Sequence, residues 1–320
     1  MKFLLMFFLL TLLISGAFAV QDQSLLAPAD SPADRIILPD DPIVMSSAPI
    51  ISGDGDNHPR RDPIIGERYQ AGDTWYDYQT NGTVGKMIGV DPDGNVHVTW
   101  MDAYDQAVNN RHQKYNCYID GEWIERDGVQ VDDEAKSGYG CLWMTEEEEP
   151  RAMIFCHAGE ADDFLSYCYI DIEPCIGAFI GASLPRYADH STYWPKGVMS
   201  ANGLIHTITN RSDARMVSYS FGTIDRMGEP VFDEDSPSPV AETHLNCFMI
   251  ARSAVSDRVA ITWMHPRVGN PAPERWDGFL AYQLNNDLYM VVSEDGEEWD
   301  FDSPINVTDC IPPQLDYNHP

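Results

Sequence analysis

A short β-rich run that returns along the chain constrains its fold more than any other feature. It reads Gly94-Asn95-Val96-His97-Val98-Thr99-Trp100-Met101. It returns as Gly203-Leu204-Ile205-His206-Thr207-Ile208-Thr209-Asn210 and as Asp257-Arg258-Val259-Ala260-Ile261-Thr262-Trp263-Met264. Arg151-Ala152-Met153-Ile154-Phe155-Cys156-His157 is a weaker copy, and the spacing is roughly 54 residues. A second strand precedes each copy across a turn, at 85–90, 138–145, 196–200 and 245–251. A third, aromatic strand follows. Lys114-Tyr115-Asn116-Cys117-Tyr118-Ile119-Asp120 matches Leu165-Ser166-Tyr167-Cys168-Tyr169-Ile170-Asp171, then Val217-Ser218-Tyr219-Ser220-Phe221. Leu288-Tyr289-Met290-Val291-Val292 is the fourth, set back by an insertion that begins at Pro266.

Asp93-Gly94, Asp120-Gly121, Asn202-Gly203 and Asp295-Gly296 punctuate these strands as turn formers. Beyond the first segment no stretch carries helical periodicity. Modules of three or four short antiparallel strands, repeated at ~50 residues, read as propeller blades. One module alone leaves a hydrophobic face uncovered, so neighbours must stack. An array of separate sandwiches is the competing arrangement, though ~50 residues is small for an independent domain. The predicted class is therefore all-β, a β-propeller of ~52-residue four-stranded blades filling residues 64–320.

Residues 1–19 stand outside this pattern. Lys2 is followed by an unbroken apolar run and then Ala17-Phe18-Ala19. That is the layout of a cleavable secretory signal. The run is shorter than the ~20 residues a membrane helix requires, and no second one exists. No membrane span is expected after cleavage. The expected location is secreted, extracellular or cell-surface, with the periplasm as the alternative. Residues 20–63 are rich in Pro, Asp and Ser and read as a disordered or extended leader. Asp54-Gly55-Asp56-Asn57 within it offers oxygen ligands for calcium. No Glu follows at the spacing of a calcium hand, so no cofactor is expected.

Charge narrows the partners. The 320 residues carry 20 Lys+Arg against 51 Asp+Glu, a net charge of −31. Phosphate backbones require clustered cations, so nucleic acid is excluded, as is docking on anionic lipid. Disorder is also excluded, because 43% hydrophobic and 11% aromatic residues can build a core. All seven Cys lie beyond the signal, five of them between 117 and 175. One or two local disulfides are expected there, with connectivity open and at least one thiol left over. There is no C-x-x-C, so no structural zinc knuckle is expected.

The fourth module ends in Ser293-Glu294-Asp295-Gly296-Glu297-Glu298-Trp299, the pattern S-x-D-G-x-x-W. Asp and Ser at this spacing hydrogen-bond the backbone of a tight turn, and the Trp packs beneath it. Asp120-Gly121-Glu122-Trp123 is a degenerate copy. Together with the repeat, the motif resembles the Asp-box of the sialidase-like (BNR) β-propeller superfamily, over residues 66–309, and a secreted bacterial-type protein. The resemblance implies that Ser293, Asp295, Gly296 and Trp299 are structural and lie away from the ligand face. It also implies six or seven blades. About four to five are present here, so an incomplete propeller is expected, with a small four- or five-bladed ring as the rival.

Antiparallel order gathers first-strand entries and second-strand exits at one rim. The exits supply Asp102, His157, Arg211 and His265. The entries supply Asn81, His190 and His244, with Tyr193 close by. These seven are the candidate ligand-binding residues; no catalytic residue is assigned. The four His lie one per module without local ligand spacing, so no metal is expected. The Glu146–Glu149 run reads as a solvated hairpin tip. Sialidase chemistry, as the resemblance would imply it, takes three Arg, a Tyr–Glu nucleophile and an Asp acid. The family's Arg-Ile-Pro signature is absent. The expected function is non-catalytic binding of a glycan or extracellular protein at the axial rim. A glycoside hydrolase of the same superfamily and a structural module of a larger exported protein are the alternatives.

Overall fold

The computed structural model describes residues 69–309 except 77, 81–84, 106–109, 161–162, 190, 212–215, 244–246 and 267–285. The signal, the leader with its Asp54-Gly55-Asp56-Asn57 turn, Asn81, His190 and His244 lie outside the described residues.

Among the described residues, four antiparallel sheets follow one another along the chain. The first holds β1 (Ile88–Val90), β2 (Val96–Ala103), β3 (Arg111–Ile119), β4 (Glu122–Trp123) and β5 (Val129–Gln130). The second holds β6 (Ser137–Met144), β7 (Ala152–Glu160), β8 (Asp163–Asp171) and β9 (Phe179–Ser183). The third holds β10 (Thr192–Met199), β11 (Ile205–Arg211), β12 (Met216–Ile224), β13 (Pro230–Phe232) and β14 (Ser238–Glu242). The fourth holds β15 (Phe248–Arg252), β16 (Val259–Pro266), β17 (Asn286–Ser293) and β18 (Ile305–Asn306). Each is an up-and-down meander in which the recurring run forms the second strand. No α-helix occurs among the described residues. The expected four strands per sheet become five in the first and third sheets. There two short strands divide the outermost position: β4 and β5 both pair with β3, and β13 and β14 both pair with β12.

Alternation along the second strands explains why the runs are apolar on both faces. In β7, Ile154 and Cys156 join a core cluster with Tyr115 and Cys117 of the first sheet. Met153 and Phe155, on the other face, join Met199 and Ile205 of the third. In β11, Ile208 faces Ile261 and Trp263 of the fourth sheet. Three core clusters thus join the sheets in chain order. Cys117 and Cys175 form a disulfide, Cα–Cα 5.4 Å, that ties β3 to the turn after β8. Closing a loop of 58 residues, it stabilises the fold by about 4 kcal/mol. Cys141, Cys156, Cys168 and Cys247 are free thiols.

The turn residues take the conformations their chemistry favours. Asp120 (φ 55°) and Gly121 (φ 89°) form the two-residue hairpin between β3 and β4. The acidic tip at 146–149 is exposed but half of it is paired, which differs from a purely solvated run. Glu147 grips Arg151 through two contacts of 2.7 and 2.9 Å, and Glu146 reaches Arg252 of the fourth sheet. Arg151 is itself anchored on the Asp171 carbonyl at 3.2 Å, which fixes the pair.

Candidate functional site

Two β-bulges shape the first-strand end of the second and third sheets. In β6 the register shifts between Gly138 and Cys141; in β10 it shifts between Tyr193 and Lys196. Each bulge carries an aromatic residue in the left-handed region, Tyr139 (φ 53°) and Trp194 (φ 49°). Such backbone is costly for a side-chain-bearing residue and re-aims it away from the ladder. Glycine on either side of Tyr139 makes this feasible. A Cβ on Gly138 would lie 2.2 Å from Met101 Sδ, and one on Gly140 would lie 2.6 Å from the Gln113 side chain.

The re-aimed aromatics converge on Arg111 and His157. Tyr139 Oη and Tyr76 Oη share a hydrogen bond of 2.7 Å. The Arg111 guanidinium sits 5.0 Å from the Tyr139 ring and 5.4 Å from the Tyr76 ring. Its Nε donates to the Ser137 carbonyl at 3.3 Å, which fixes the side chain. His157, in β7, is buried in a box of Tyr139, Phe164, Tyr193 and Trp194, all with centroids within 6.2 Å. The Trp194 backbone N–H donates to His157 Nδ1 at 3.1 Å. Burial, then the charges of Arg111, Lys196 and Lys136, push the His157 pKa down to about 3, so the ring is neutral. Burial and the bond to Tyr76 push Tyr139 up to about 12, so it stays protonated. The cluster gathers ring faces, a phenol and a held guanidinium, with Arg111, His157 and Phe164 buried and Tyr76 and Tyr139 half-buried.

A second arrangement lies on the opposite face of the first sheet. Met101, Gln113 and Arg111 face the second sheet, so alternation turns Asp102 and its cross-strand partner His112 the other way. Asp73, Thr74, Trp75, Asp102, Ala103 and Tyr104 line a cleft of ≈ 390 Å³ there. Burial raises the Asp102 carboxyl above its usual range; Lys114 opposes and Asp73 adds to the rise. Beside it His112 Nδ1 lies 2.9 Å from Asp132 Oδ1, and the other Asp132 oxygen accepts the Gln113 N–H at 3.1 Å.

Of the expected rim residues, His157 therefore enters the aromatic cluster, with Tyr193 against it, while Asp102 occupies the separate cleft. Arg211 is the last residue of β11, opposite Thr192. His265, in β16 opposite Asp287, packs edge-on to Tyr289 at 6.4 Å in the fourth sheet. The strand-end pattern in the sequence does not mark Arg111, Tyr76 or Tyr139. The Gly138-Tyr139-Gly140 triplet is the one sequence signal that marks the bulge.

The Asp295 turn sits far along the chain at the end of β17. Asp295 Oδ1 accepts the N–H groups of Glu297 and Glu298, both at 2.9 Å, and the Ser293 hydroxyl at 3.1 Å. Gly296 takes φ 78°. Trp299 packs on Tyr219 (4.9 Å) and Phe301 (5.4 Å), bridging to the third sheet.

No protein-family model matches the chain. No curated protein matches it. Solved structures align with much of the chain at low identity. A protein of unknown function from Dyadobacter fermentans aligns at TM-score 0.45 and 13% identity, covering 71% of this chain and 70% of that one. An ulvan lyase of polysaccharide lyase family PL25 aligns at 0.46 and 10%, covering 72% and 56%. The catalytic domain of a Coprinopsis cinerea GH62 α-L-arabinofuranosidase aligns at 0.39 and 11%, covering 72% and 70%.

Proposed function

We propose that the chain is an exported β-propeller protein, its four sheets being successive blades, and that it binds a glycan where Arg111 lies between Tyr76 and Tyr139. The single observation carrying this reading is that guanidinium, held 5.0 Å from one ring and 5.4 Å from the other beside the His157 box. Aromatic faces stack on the apolar faces of pyranose rings, and a fixed guanidinium pairs with hydroxyl or carboxylate oxygens. Neither His157 nor Tyr139 ionises near neutral pH, which favours binding over proton transfer at this cluster. The Asp295 turn belongs to the scaffold, as the Asp-box resemblance implies. A glycan array of neutral and acidic oligosaccharides tests the proposal. A hit is followed by titration calorimetry, in which Arg111→Ala and Tyr139→Ala each weaken affinity at least tenfold. Affinities unchanged in both variants would overturn it.

A second reading, glycoside hydrolysis, draws on the cleft holding Asp102. A carboxyl raised by burial near a second carboxylate, Asp73, is suited to act as a general acid. Turnover of chromogenic glycosides that Asp102→Asn abolishes would support it; no turnover across the panel leaves binding as the function.

A further inference from the structure

His97 and His206 hold the same place in two repeats, and the fold orients both alike. His97 Nδ1 lies 2.7 Å from Tyr115 Oη, and His206 Nδ1 lies 2.8 Å from Tyr219 Oη. Each Nε2 faces the residue that follows its sheet's first strand, Asp91 Oδ2 at 3.4 Å and Ser200 Oγ at 2.8 Å. What covers the ring differs. Over His206 stands the Gly296 turn of the fourth sheet, close enough that a Cβ there would meet the imidazole at 3.3 Å. Against His97 stand two sulfurs: Cys175 Sγ lies 3.8 Å from Nε2 and is bonded to Cys117. The His97 nitrogen and both sulfurs lie within 4.8 Å of one another, and all three residues are buried.

We propose that reducing the Cys117–Cys175 disulfide converts the His97 pocket into a zinc(II) site. A dithiol or phosphine reductant supplies two electrons and the S–S bond breaks to two thiols, each taking a proton. Zinc then binds both sulfurs as thiolates and displaces those two protons to solvent. The third ligand is His97 Nε2, and water completes the fourth position. Two thiolates and an imidazole, with one water, form a tetrahedral set suited to zinc. Tyr115 fixes the ring from the far side, as outer partners of metal-bound His do.

The full chain, titrated with cobalt(II) before and after phosphine reduction, tests the proposal. Reduced protein takes up one cobalt with a thiolate-to-cobalt charge-transfer band; oxidised protein shows no band. His97→Gln weakens the reduced site by more than ~100-fold and Tyr115→Phe by ~10-fold. The Cys117→Ser/Cys175→Ser protein keeps Cys141, Cys156, Cys168 and Cys247 and loses the band. Persistence of the band in that variant would overturn the proposal, as would its absence in reduced wild type. If reduction unfolds the chain, refolding by cobalt or zinc supports the site and failure to refold refutes it. Circular dichroism reads both.

Discussion

Burial and three neighbouring cations hold His157 neutral, with its pKa lowered to about 3. In the unfolded chain it protonates near ~6.5. Between these values the unfolded state binds the extra proton. The contribution of His157 to stability is therefore complete above pH ~6.5 and declines as pH falls toward 3. One such proton is worth about 1.4 kcal/mol per pH unit. His206, lowered by burial to about 4, acts in the same sense. Asp171 opposes them. Burial raises it to about 6 despite the backbone hydrogen bonds it accepts from Gly177 and Ala178, so its contribution is present below ~4 and is lost as pH rises through 6. Denaturant unfolding across this range is expected to show stability falling with acid. His157→Gln should make the slope shallower by about 1.4 kcal/mol per pH unit. An unchanged slope would mean that His157 is charged in the folded protein. His157 was legible in the sequence because it ends a recurring run. Arg111 was not, because it lies just ahead of the recurring run that begins at Lys114; only the bulge in another sheet gives it a role.

The bulge in β6 links backbone to site. Gly138 at φ 155° and Gly140 both press against first-sheet side chains, and between them Tyr139 turns toward Arg111 and His157. Gly138→Ala is expected to destabilise by about 1–3 kcal/mol and to weaken glycan affinity along with it. Wild-type thermal stability with lost affinity would instead place the effect in the loop alone. The second and third strands of each module were readable to within a few residues, because apolar alternation and Asp-Gly or Asn-Gly turns agree there. The outermost strands were not. β4, β5, β13 and β18 are two or three residues long and carry no periodicity of their own. Their pairing comes from the neighbouring strand. The bulges escaped for a related reason, since a bulge inserts one residue and shifts the alternation that reveals a strand.

Packing between sheets is the unit of stability for the molecule as a whole. Phe155 is fully buried between the second and third sheets, and a Cβ on Gly197 would touch its ring at 2.2 Å. Phe155→Ala is expected to cost about 3–5 kcal/mol by denaturant unfolding. Cys117→Ser/Cys175→Ser should cost about 4 kcal/mol under oxidising conditions and nothing under reducing, metal-free ones. The order of the four modules was legible in the repeat, whereas the disulfide pairing was not. Five Cys crowd the first two modules, and only the packing of β3 against the turn after β8 selects Cys117 and Cys175.

Three core clusters serve four sheets, joining each to the next in chain order. The second and third sheets are therefore clamped on both faces, while among the described residues no core cluster joins the first sheet to the fourth. In a stack held by nearest neighbours, opening begins at the ends and moves inward. Amide hydrogens of β7 and β11 should be the slowest to exchange with deuterated solvent, and those of β16 and β17 faster. The first sheet, tied covalently to the second, should trail the fourth until a reductant is added and then overtake its earlier rate.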